Sequence, residues 1–186
     1  MEITIKIIKE SIKILLLASI ISSIGGIFLQ DVESIIIAVI PILIMLPALN
    51  DMVGDFGTTF SVKFTTLLYL GAIKKDNILK SKEVRNLIKT LYKVSIISAL
   101  YMAALSLIIA AFKKFSLNFT IILKIFIITL IVTLVIITII AVISLFLGVY
   151  VFKKKQDPNN FLIPVTTALG DLGNMFILSV LVRILF

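Results

Sequence analysis

The sequence predicts an all-α integral membrane protein with five transmembrane helices, the second of them kinked or broken. Three observations predict it. Of 186 residues, 60% are hydrophobic and the mean hydropathy is +1.21, whereas a soluble domain is nearer ~45–50% apolar. The apolar residues come in blocks of roughly 18 or more, enough to cross a hydrocarbon core of about 30 Å as helices. The segments between them are short and polar, most of them rich in lysine, and none has the composition of a linker or a soluble domain. Residues 1–186 are therefore read as one five-helix membrane domain without a soluble regulatory domain.

The first span is expected over 5–29. Lysines stand in its first turns (Lys6, Lys9 and Lys13), as ahead of a signal peptide's apolar core, but the apolar run is long and lacks a small-residue cleavage site, so it reads as an anchor helix. QDVES follows as an acidic turn. The second apolar stretch, 34–73, is too long for one simple crossing at about 1.5 Å per residue. Pro41, Pro47, Gly54 and Gly57 lie within it and predict the kink or break. After the polar loop KKDNILKSKEVRN the third span covers 84–112, with an amphipathic start. KKFSLN turns the chain into the fourth span, 119–152. That span is the most uniformly apolar and is expected to face lipid. KKKQDPNN leads to the fifth, 161–185.

The formal net charge is +8, but the basic residues flank apolar blocks, which is the pattern of topology-setting charge and not of a nucleic-acid surface. Lysines and arginines concentrate in the N-terminal stretch, in the loop between the second and third spans and its flanks, and in the loop between the fourth and fifth. Only Lys113, Lys114, Lys124 and Arg183 fall on the other side. The positive-inside rule then places the N-terminus in the cytoplasm and the C-terminus outside, in the plasma membrane.

The chain has no cysteine, histidine or tryptophan. Disulfides, thiolate nucleophiles, imidazole metal sites and histidine acid–base chemistry are excluded. No enzyme activity and no organic cofactor are expected. Oxygen ligands remain, and these suit hard cations such as Mg2+, Ca2+ and Mn2+.

Of the ten acids, Asp51, Asp55 and Asp171 lie inside spans, where a charge costs about 2.5–3.5 kcal/mol on insertion scales. Asp51 and Asp55 are four residues apart, so on a helix they share a face, which Thr59 continues. Like charges at that spacing repel and call for a cation, a proton or water. Asp171 has Thr167 four residues before it and Asn174 three after, a face of hydroxyl, carboxylate and carboxamide with no base. Gly54 and Gly57 permit unwinding or close packing, and Gly170 and Gly173 permit close helix contact. Lys63 could pair with one aspartate in a ligand-free ion pair, which leaves the other two without a counter-charge. An intramembrane aspartyl protease would need Gly-x-Gly-Asp, but the strings here are MVGD and ALGD.

PALNDMVGDFGTTFSVKFTT resembles the first signature of the MgtE magnesium channels and the related eukaryotic solute carriers, through Pro47, Leu49, Gly54, Thr59 and Lys63. PVTTALGDLGNMFILS resembles the second, through Pro164, Thr167, Gly170 and Asp171. The resemblance implies a five-span domain working as a dimer, with Mg2+ passing at or near the subunit interface and Asp171 binding the partly hydrated ion. It also implies that the second helix contributes oxygens. The asparagine of the related Gly-Asn pair is replaced here by Asp55.

The site expected from these readings is Asp171, Asp55, Asp51, Thr167, Asn174 and Thr59. The expected cargo is a divalent cation, Mg2+ first, with Mn2+, Co2+ and Ca2+ left open. The expected partners are the bilayer and a second copy in parallel, or a homologous half. A monovalent or proton-coupled carrier using the same acids is the runner-up, and a non-transporting membrane scaffold is the third reading.

Overall fold

The computed structural model describes residues 2–73, 78 and 81–186, with side chains throughout these except at 2–7, 9 and 10. The expected topology-setting charges of Lys74, Lys75 and Lys80, and the side chains of Lys6 and Lys9, lie outside what is described. The described chain forms α1 (Glu2–Gln30), α2 (Glu33–Ala38), α3 (Ile40–Tyr69), α4 (Lys82–Phe112), α5 (Phe119–Lys153) and α6 (Asn159–Leu185). All but α2 are long and apolar enough to cross a membrane.

The long second apolar stretch is divided at Val39, whose φ of −105° and ψ of 80° leave the helical region. Pro41 supplies the cause. It has no N–H for the carbonyl of Ile37 and its ring would press on that carbonyl, whereas in the first turn of a new helix a proline is tolerated. From there α3 runs for 30 residues through Pro47, Gly54 and Gly57 without interruption. Of the two roles open to Gly54 and Gly57, unwinding or close packing, unwinding does not occur.

Named contacts fix the directions. α1 runs alongside α6 in the same sense, with Ser22 at Asp171, Phe28 at Phe176 and Asp31 at Arg183. α3 opposes α6, and it runs parallel to α5, where Met45 meets Thr129 and Ser61 meets Ser144. α4 returns between them, with the Tyr92 hydroxyl 2.6 Å from that of Thr138 on α5. One end of the bundle carries Asp31, Lys113, Lys114 and Arg183. The other carries the exposed Lys82, Arg85, Lys89 and Lys153–Lys155.

α5 corrects an expectation. It packs on α3, α4 and α6, and Ile125, Ile128, Val132, Ile136 and Ile140 are all at most 1% exposed. One stripe, from Leu123 through Ile127, Ile131, Val135 and Ile139 to Phe146, faces outward. Uniform apolarity did not mean a lipid-facing helix, because lipid tails and a protein core are equally apolar.

Close approach between α3 and α6 depends on small residues. A Cβ on Gly57 would stand 3.1 Å from Thr166 Cβ, and one on Gly170 would stand 3.2 Å from Val53 and 4.0 Å from the Gly54 nitrogen. One turn beyond Gly57, Ser61 lies 3.4 Å from Ser144 and 3.5 Å from Thr166, oxygen to oxygen, all buried. Gly57→Leu should therefore force α3 from α6 and destabilise the bundle by about 1–3 kcal/mol. Gly26→Ala, with open space around it, should change stability by no more than about 1 kcal/mol, in the stabilising direction. Thermal unfolding of both variants in detergent checks the contrast.

Candidate functional site

Asp171 stands near the middle of α6, about 18 Å from its start at 1.5 Å per residue. The face of α6 bearing Leu172 and Met175 meets Gly25 of α1, while Gly170 and Thr166 meet α3. Asp171 lies between these two contacts, half-buried in the crevice where α1 and α3 flank α6.

Each carboxylate oxygen accepts one hydrogen bond. Ser22 Oγ donates to Oδ2 at 2.6 Å, and Asn50 Nδ2 donates to Oδ1 at 2.6 Å. Asn50 Oδ1 in turn accepts from Asn174 Nδ2 at 3.0 Å. Asn174 is 1% exposed, and its own Oδ1 has no partner. Hydrogen bonds to an ionised acceptor are worth about 1.5–3 kcal/mol each, so this network solvates a charge in mid-membrane without a counter-cation. The ion pair of Arg183 with Asp31, 3.8 Å apart, lies at the exposed end of α6.

The structure brings Asp171 and Asn174 together. Thr167 lies beside them, its methyl 3.8 Å from where a Gly54 Cβ would stand. Asp51, Asp55 and Thr59 do not join this cluster. They are exposed on the outward face of α3, with Lys63 one turn further. Among the described residues no three acids converge into a metal-binding group, and Lys63 makes no ion pair.

Ser22 and Asn50 were not anticipated from sequence. Asn50 shares a helical face with Gly54 and Gly57, the face that meets α6, and that periodicity was the available signal. For Ser22 the signal was its place three residues before Gly25, which packs on α6.

A five-helix bundle that gathers a carboxylate, amides and hydroxyls at mid-membrane presents oxygen donors of the kind that suit hard cations. The MgtE family, described as divalent cation transporters, matches residues 46–181. No curated protein and no solved structure matches the chain. The match covers well over half of the chain and contains both motif-bearing stretches, so the chain belongs to the MgtE divalent cation transporter family. It is a transporter and not an enzyme.

Because Asn50 bonds both Asp171 and Asn174, the three act as a unit. Asn50→Ala and Asn174→Ala should each lower stability, and the double variant should fall short of additivity by about 0.5–3 kcal/mol. A double-mutant cycle on unfolding in detergent measures that coupling.

Proposed function

We propose that the chain moves Mg2+ across the plasma membrane as a parallel homodimer, along a path lined by Asp51, Asp55 and Thr59 of α3 and by Asp171, Thr167 and Asn174 of α6. A homologous half-transporter is the other partner this reading allows. The observation that carries it is the outward, exposed position of Asp51, Asp55 and Thr59 at the middle of a helix built to cross a membrane. Facing lipid, each aspartate costs about 2.5–3.5 kcal/mol. Facing a second copy across a two-fold axis, the same stripe becomes one wall of an anionic, water-filled path beside the crevice of Asp171.

Mg2+ fits this donor set. It holds its waters tightly and usually binds through one or two carboxylates. Dispersed aspartates, amides and hydroxyls suit a hydrated ion better than a dehydrated one. The basic residues at one end of the bundle support a cytoplasmic N-terminus and an extracellular C-terminus.

Asp171→Asn keeps the shape and removes the charge. In liposomes it should abolish Mg2+ flux while the dimer persists. Flux at the wild-type level would remove Asp171 from the path. Wild-type flux of Na+ in place of Mg2+ would favour the monovalent reading.

Mg2+ should also raise the melting temperature of the wild-type protein, by the equivalent of about 2.7 kcal/mol at one hundred times its dissociation constant. Asp55→Asn should shrink that shift. An undiminished Mg2+ response, with Na+ as control, would exclude Asp55 from ion binding.

A further inference from the structure

The Asp171 carboxylate is held by two helices other than its own. Ser19 and Ser23 of α1 donate to carbonyls of their own helix, at 2.9 and 2.8 Å. Ser22 instead reaches across to Asp171 Oδ2 at 2.6 Å. Asn50 donates to the other oxygen at 2.6 Å and accepts from Asn174 at 3.0 Å. One donor on each oxygen leaves each with a further lone pair. The partnerless, buried Oδ1 of Asn174 stands in the same network as another acceptor.

A hydrated divalent cation presents water hydrogens, so it is recognised by acceptors fixed in direction. A free carboxylate has a broad terminal torsion and can turn to ligate a partly stripped ion directly. Ca2+ takes more oxygen ligands in flexible geometry, whereas Mg2+ dehydrates reluctantly. Orientation of Asp171 therefore bears on which ion is favoured.

We propose that Ser22 and Asn50 are positioning residues that aim the Asp171 carboxylate at the hydration shell of the transported cation, and thereby set discrimination between Mg2+ and Ca2+. The inference rests on Asp171 lining the path. Ser22 lies outside the matched residues 46–181, so it makes the placement of α1 a determinant of selectivity.

The test is liposome flux of Mg2+ and Ca2+, with KM and maximal rate measured separately for the full chain and for Ser22→Ala, Ser22→Thr and Asn50→Ala. Ser22→Ala and Asn50→Ala should raise the Mg2+ KM by about tenfold or more, the usual cost of losing a residue that orients a ligand. The Ca2+ KM should change less, so the preference for Mg2+ falls. Ser22→Thr keeps the hydroxyl and should keep the wild-type preference. If Asn50→Ala fails to fold, Ser22→Ala, which loses one hydrogen bond at a half-buried position, decides the matter alone. Wild-type constants for both ions in Ser22→Ala would overturn the inference. So would an equal loss for both ions that threonine does not rescue, since that is the mark of packing alone. If Asp171→Asn abolishes flux while Ser22→Ala leaves it untouched, only this inference fails. If Asp171→Asn transports normally, the path assignment fails with it.

Discussion

A carboxylate at the middle of a membrane helix must be solvated by protein, and the arrangement of α1, α3 and α6 follows from that requirement. Among the described residues no lysine or arginine forms an ion pair with Asp171. It takes one hydrogen bond from Ser22 and one from Asn50, each at 2.6 Å. Those donors are short side chains, so their helices must come close. Gly25 lets α1 settle against Leu172 and Met175, while Gly57 and Gly170 let α3 and α6 touch through Thr166 and Val53. Small residues in membrane helices serve packing, since lipid offers no hydrophobic drive to helix association. Here the same closeness delivers the donors.

α3 separates two chemistries by about a quarter turn. Asn50, Gly54, Gly57 and Ser61 look into the bundle, where polar groups find partners on α5 and α6. Asp51, Asp55 and Thr59 look outward and are exposed in the single chain. An uninterrupted helix keeps these faces distinct over its whole length. Had Gly54 and Gly57 unwound the chain, Asn50 would have lost its register with Asp171. The division at Val39 instead places the irregular backbone ahead of α3, near the end that carries Asp31 and Arg183.

Much of this was legible in the sequence. Five apolar blocks give five spanning helices because length and hydropathy decide what can cross a bilayer. Asp171 and Asn174 share a face because helical periodicity alone puts them there. The central position of α5 was not legible. A helix apolar all round carries no mark distinguishing core from lipid contact. The site of the interruption was not legible either, because Pro41 and Pro47 are both prolines, yet only one lies where the helix breaks. The donors to Asp171 escaped notice for another reason. A serine in a membrane helix commonly bonds its own backbone, as Ser19 and Ser23 do, and nothing in SSIGG separates Ser22 from them except rotation.

The donor set also bears on how firmly a cation is held. A path that conducts must bind well enough to admit the ion and weakly enough to release it. Three converging carboxylates would bind a divalent cation tightly, and among the described residues no such cluster exists. At Asp171 the charge is already shared with two hydrogen-bond donors, and the neighbouring oxygens belong to neutral amides. On the proposed path, such a site would attract a divalent ion by charge but offer little to replace its inner waters. In the proposed two-fold pair, Asp51 and Asp55 would double across the axis and add attraction along the wall. The strongest field would then be spread along the path rather than focused at one point. That distribution favours an ion that travels hydrated, and Mg2+ parts with its waters far more reluctantly than Ca2+.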